Sequence, residues 1–144
     1  MKRNGSAKWQ GPIKEGQGTL VVGDGVFAGP YSFASRFEEG EGTNPEELIA
    51  AAHAGCFALA FSGFLGAAGH EPDSLDAEAD VHVNPRSDGE GFEINRIDLR
   101  VRGRVPGISA EEFTKQAQIA KENCPVSRAL AGVPEITLEA QLED

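Results

Sequence analysis

The chain has 144 residues and a mass of 15.2 kDa, enough for one domain to bury a hydrophobic core without disulfide staples. Its 13 Lys and Arg against 23 Asp and Glu give a net charge of −10 and a pI near 4.7, a surface that repels phosphate backbones and argues against nucleic acid as a partner. Only two cysteines occur, and Met1-Lys2-Arg3-Asn4-Gly5-Ser6 leads into polar sequence with no apolar signal region; together these predict a reducing, cytoplasmic setting, where disulfides tend to be transient and catalytic.

Residues 6 to 34 read as short strands separated by Gly and Pro turns, beginning with Ala7-Lys8-Trp9-Gln10 and Gly18-Thr19-Leu20-Val21-Val22. A polar, glycine-containing loop is expected over 35 to 44. A long helix then opens with strong signals: Asn44 as N-cap, Pro45 at the first helical position, and Glu46 and Glu47 at the positive end of the dipole. It is expected to end near Gly69, ahead of Pro72. From Leu48 to Gly69 it carries no Asp, Glu, Lys or Arg and is long enough to cross a bilayer. Its Ala and Gly content, His53 and Ser62, acidic flanks and lack of an aromatic or cationic belt instead indicate a protein core helix, with no membrane partner. A helix apolar all round is expected to be buried on all sides, and a second copy of the chain would help to cover it.

Two alternating strands follow. Ala77, Ala79, Val81 and Val83 share one face, as do Ile97, Leu99 and Val101, with charged residues opposite and a turn over 84 to 91. The pattern is that of a half-buried antiparallel hairpin, which makes the Arg100, Arg102 and Arg104 series a solvated face rather than an anion site. Ser109 and Glu112 have capping-box spacing and open a helix to about Glu122. Cys124-Pro125 breaks it and starts a short helix to Leu130, and a last alternating strand runs from Ile136 to Leu142. The expected class is α+β, a single domain over 1–144 with antiparallel sheet around a buried central helix.

The chemistry centres on the two thiols. Cys56 lies in the uncharged helix, where apolar surroundings raise a thiol's pKa, so its reactivity needs a cation from elsewhere. Arg36 in the preceding polar loop is the candidate, because a guanidinium stays charged when desolvated; an ordinary surface pairing with Glu38 or Glu39 is the alternative. Ten residues separate Glu46 from Cys56, about 15 Å along one helix, so a role for Glu46 at that thiol requires a neighbouring chain. Otherwise Glu46 is a capping carboxylate. Cys124 precedes a helix start, a position that lowers a thiol's pKa, and is alternatively a small residue at a junction.

His53, three residues before Cys56, is read as a satisfied core or interface histidine; a Cys–His hydrolase would also need an orienting group and an oxyanion hole. An apolar-ligand binding module with inert thiols is a further reading. Two cysteines and three histidines without CxxC or HxxxH spacing do not suggest zinc.

At these residues the chain resembles the OsmC/Ohr family, and within it the OsmC branch (osmotically inducible protein C). The carrying segments are Arg36-Phe37-Glu38, Gly42-Thr43-Asn44-Pro45-Glu46-Glu47-Leu48-Ile49, Ala51-Ala52-His53-Ala54-Gly55-Cys56-Phe57 and Cys124-Pro125-Val126-Ser127. Lys8-Trp9-Gln10-Gly11 and Gly16-Gln17-Gly18-Thr19 favour the OsmC branch. The resemblance implies an intertwined homodimer with active sites at its interface, a peroxidatic Cys56, a resolving Cys124, and thiolate-supporting roles for Arg36 and Glu46. It further implies reduction of organic hydroperoxides, and less readily hydrogen peroxide, by a sulfenate that Cys124 resolves as an intramolecular disulfide. An external dithiol would restore the thiols, with no metal, flavin or haem cofactor, in oxidative or osmotic stress defence. Apolar surroundings for the substrate would come from Phe37, Phe57 and Phe64.

Overall fold

A computed structural model describes all 144 residues, which form two compact units, Met1–Leu48 and Ile49–Asp144.

In the first unit, β1 (Gly5–Gln10), β2 (Gln17–Val22) and β3 (Phe27–Tyr31) make an antiparallel meander in that order, with Gln10 opposite Gln17 and Val22 opposite Phe27. Part of the expected loop is instead a short helix, α1 (Phe33–Phe37). Its cause is local: Ser32 Oγ accepts from the Ser35 N–H at 3.1 Å while Ser35 Oγ accepts from the Ser32 N–H at 2.8 Å. This is a capping box in which serine replaces the usual Glu or Gln. The helix α2 (Pro45–Ala67) starts as its sequence dictates, with Asn44 Oδ1 accepting from the Glu47 N–H at 2.9 Å.

α2 ends in a Schellman arrangement, in which Gly69 adopts φ +87° and the His70 N–H reaches the Leu65 carbonyl at 2.9 Å. The second unit continues with β4 (Ser74–Pro85) and β5 (Phe92–Arg104), an antiparallel hairpin that pairs Ala77 with Val101 and Ala79 with Leu99. The chain then passes through α3 (Ala110–Asn123) and α4 (Pro125–Ala129) to β6 (Glu135–Glu143). β6 lies beside β5 and parallel to it, with Leu99 opposite Leu138, so this sheet is mixed and not antiparallel throughout as the alternation suggested. The two helices supply the crossover that a parallel pair needs.

One face of this sheet carries the core. Leu99 and Val101 join Phe57, Phe61 and Leu65 of α2 and Phe113, Ala117 and Ala120 of α3, all withdrawn from solvent. The Phe61 ring meets Phe113 edge-on at 5.0 Å and Phe57 at 5.8 Å. Gly103 leaves room for that packing, since a Cβ there would stand 2.7 Å from the Phe113 ring. The opposite face is charged and solvated as expected, Arg100 reaching Asp80 at 2.7 Å. Asp98 accepts from Thr137 at 2.6 Å and from Arg96 at 2.8 Å, and these two donors hold its carboxyl well below the usual carboxylate range.

The expectation of a helix buried all round is not met within one chain. The α2 row His53, Phe57, Phe61 and Leu65 is fully buried, whereas Gly55, Leu59, Gly63 and Gly66 on the opposite row are exposed, Leu59 at 78%. Uniformly apolar sequence marks no face, so packing alone decides which row is covered.

Candidate active site

In the first unit, Arg36 and Glu46 form a bidentate pair. Arg36 Nη2 donates to Glu46 Oε1 at 2.7 Å, and Nε contacts Oε1 and Oε2 at 3.1 and 3.2 Å. The arginine thus finds Glu46, not Glu38 or Glu39. The local backbone explains the meeting: Asn44, which caps α2, also donates from Nδ2 to the Ser35 carbonyl at 2.9 Å, and Ser35 Oγ donates to the Thr43 carbonyl at 2.8 Å. These bonds tie α1 to the start of α2 and leave Glu46 only 6% exposed. The guanidinium also lies 4.9 Å from the Phe37 ring centre. Beside it opens a cavity of about 340 Å³ lined by Trp9, Ile13, Tyr31, Phe33 and Phe37, with Arg36 as its one charged side chain.

In the second unit, α2 and the junction of α3 with α4 bring the thiols together. Cys56 Sγ and Cys124 Sγ are 2.9 Å apart, and both cysteines are free. Sixty-eight residues separate them in sequence. A disulfide is about 2.05 Å long, so closing this contact to a bond needs a movement of about 0.9 Å. Cys124 is fully buried whereas Cys56 is half-buried. Cys124 caps both helices: its N–H reaches the Ala120 carbonyl at 2.8 Å and its carbonyl accepts from the Arg128 N–H at 3.0 Å.

The surroundings divide the thiols electrostatically. Burial pushes the Cys56 thiol up, the Cys124 contact adds to this, and the Val126 N–H opposes it. Cys124 also meets a burial penalty, but the neighbouring Cys56 thiol, the Ser127 N–H and hydroxyl and the Val126 N–H outweigh it and bring that thiol down.

His53 bonds to Ser127 and not to a thiol: Nε2 and Oγ are 2.7 Å apart in the interior, while Nδ1 is buried without a hydrogen-bond partner. It is therefore only half satisfied, and the Cys–His contact that a hydrolase needs is not made. Ser127, the last residue of Cys124-Pro125-Val126-Ser127, carries no functional signal of its own in the sequence. Its place three residues after Cys124, in the first turn of α4, is the signal that could have drawn it into the site. Of the aromatic residues expected around the substrate, Phe37 lines the cavity, whereas Phe57 and Phe64 pack with the core of the second unit.

A family model described as OsmC-like protein matches residues 38–139. The chain is 49% identical over 142 residues to the Peroxiredoxin OsmC of Escherichia coli (strain K12), covering 98% of this chain and 96% of that protein. It is 33% identical over 108 residues to an Organic hydroperoxide resistance protein-like protein of Staphylococcus aureus (strain USA300), covering 74% of each. Among solved structures, an OsmC-like protein from Mycoplasma pneumoniae aligns over 100% of this chain and 99% of its own, with TM-score 0.76 and 18% identity. The organic hydroperoxide resistance protein OhrB of Bacillus subtilis aligns over 97% and 98%, with TM-score 0.69 and 24% identity. These two likenesses show a shared fold.

Proposed function

Since the chain belongs to the OsmC-like protein family, we propose that it is a thiol-dependent peroxidase that reduces organic hydroperoxides with Cys56 and Cys124, the 144 residues acting as one OsmC-like domain in the cytoplasm. The observation that carries this reading is the pair of free thiols 2.9 Å apart, one half-buried and the other fully buried. The names of the curated relatives, a peroxiredoxin and an organic hydroperoxide resistance protein, support it.

Accessibility assigns the order of events. Peroxide meets Cys56, because Cys124 has no exposed surface. The Cys56 thiolate attacks the distal oxygen of the hydroperoxide, the O–O bond breaks, and the leaving alkoxide takes a proton to become the alcohol. Cys56 is left as a sulfenic acid. Cys124 attacks that sulfur, the S–O bond breaks, the hydroxide leaves as water on taking a proton, and a disulfide remains. An external dithiol returns both thiols by exchange.

Within its own chain Cys56 is held protonated by burial, so the first step calls for a cation. We assign that role to the Arg36–Glu46 pair of a second chain, with Glu46 fixing the guanidinium through its two oxygens. The exposed row of α2 supports an intertwined homodimer. Gly55, Gly63 and Gly66 have open space where a Cβ would stand, yet each costs a helix roughly 0.5–1 kcal/mol relative to alanine. Close approach of a second α2 gives these glycines and Leu59 a function. The apolar cavity beside Arg36 suits the organic group of the substrate and favours organic hydroperoxides over hydrogen peroxide.

The test is the intact mass of reduced protein after one equivalent of an organic hydroperoxide, without added thiol. Loss of two hydrogens per chain with no intermolecular crosslink is the expected result. An unchanged mass with the peroxide unconsumed overturns the reading.

A further inference from the structure

Two buried polar side chains adjoin the thiols and have no part in the cycle above. His53 is 0% exposed and Ser127 8%, and His53 Nε2 lies 2.7 Å from Ser127 Oγ. The other ring nitrogen, Nδ1, is buried and unpartnered. Desolvation and, second to it, the charge of Lys121 press the ring toward its neutral form, which carries a single N–H. A proton on Nδ1 would bury a donor with no acceptor. A proton on Nε2 is used at once by Ser127 Oγ. The serine's own hydrogen then remains available, and Ser127, the third residue of α4, stands in the first turn beside the N-cap residue Cys124, whose thiol it helps to bring down.

We propose that His53 and Ser127 are positioning residues for the resolving thiol: His53 Nε2–H donates to Ser127 Oγ, and the Ser127 hydroxyl donates to Cys124 Sγ, so that Cys124 is presented as a thiolate to the sulfur of Cys56. The inference rests on the peroxidase reading. The ionisable groups acting on this row are Cys56 from α2 and Lys121 from α3. Loss of Ser127 leaves the buried thiolate short of a hydrogen bond, and loss of His53 leaves the Ser127 hydroxyl free to turn away from it, so in either case the resolving step needs a higher pH.

The experiment mixes reduced protein rapidly with one equivalent of an organic hydroperoxide and follows sulfenic acid and disulfide by quenching and mass, across a series of pH values. In Ser127→Ala and His53→Leu the pH midpoint of disulfide formation is expected to rise by about one unit, the equivalent of one lost charge-assisted hydrogen bond. On the acid side of that midpoint the step slows roughly tenfold and sulfenic acid accumulates. His53→Gln, which offers an N–H near the place of Nε2, is expected to restore most of the profile. A Ser127→Ala protein that folds and keeps the wild-type midpoint overturns the proposal. Wild-type protein that forms neither sulfenic acid nor disulfide overturns the peroxidase reading itself, a distinguishable outcome. Nitrogen NMR of the His53 ring in the reduced wild-type protein decides the matter without any variant. A neutral ring protonated at Nε2 is expected, and one protonated at Nδ1, or an imidazolium, overturns the donor chain.

Discussion

The Arg36–Glu46 pair lends itself to a double-mutant cycle of Arg36→Met, Glu46→Gln and the double variant. Three hydrogen-bond contacts join the two charged groups, and the side chains are 39% and 7% exposed. A fully exposed pair would couple by about 0.2–1 kcal/mol. Breaking a fully buried one costs about 3–5 kcal/mol, and hydrogen bonds to charged groups contribute about 1.5–3 kcal/mol. With one partner buried and the other open to water, a coupling of about 2 kcal/mol follows. At this chain length each kcal/mol moves the melting temperature by roughly 2–4 °C, so each single variant is expected to melt roughly 4–8 °C lower. The double variant should lose little more than the worse single one, because its members act as a unit. Calorimetry at one fixed protein concentration reads the stability term, since dimer formation would otherwise enter. Peroxide turnover in the same four proteins reads the chemical one, with both single variants losing turnover and the double variant no worse. A stability coupling under about 0.5 kcal/mol, or losses of turnover that multiply, would refute the view that the carboxylate acts through the guanidinium.

In Cys124→Ser, one equivalent of organic hydroperoxide is expected to add one oxygen to the mass and stop there, since the sulfenic acid has lost its partner; Cys56→Ser should consume none. Leu59→Glu places a charge on the exposed row of α2; sedimentation is expected to find the unmodified chain as the proposed dimer and the variant as a monomer with secondary structure retained. Finally, burial and Lys121 lower the His53 pKa from 6.5, so the folded state resists a proton that the unfolded chain accepts. The resulting stability is complete above about pH 6.5 and is lost as the pH falls from there toward the depressed folded value, by up to about 1.4 kcal/mol per pH unit. His53→Gln should flatten that segment of a melting-temperature profile.

Where structure is decided locally, the sequence was legible. Asn44, Pro45 and Glu47 specify the start of α2 among themselves, and the hairpin faces follow from alternation. α1 is faint in the sequence because its capping partner is Ser35, a residue that carries less helix signal than the usual glutamate. The parallel pairing of β6 was hidden for a different reason: alternation tells which face a strand buries but not the direction of its neighbour. At the candidate site, the residue types at positions 36, 46, 56 and 124 were readable from chemistry and resemblance. The 2.9 Å thiol contact was not, because it joins helices distant in sequence, and neither was the His53–Ser127 bond across 74 residues.

The unequal depth of the two sulfurs also sets the return path of the proposed cycle. Once the disulfide has formed, an incoming dithiol can approach only the Cys56 side, because Cys124 is sealed from solvent. The mixed disulfide therefore forms at Cys56, and Cys124 departs as the leaving group. A thiol whose anion is stabilised leaves faster, and the polar groups of Val126 and Ser127 beside Cys124 bring its thiol down. Oxidant and reductant thus use one doorway in turn, and an unspent substrate analogue lodged there would block regeneration as well as oxidation.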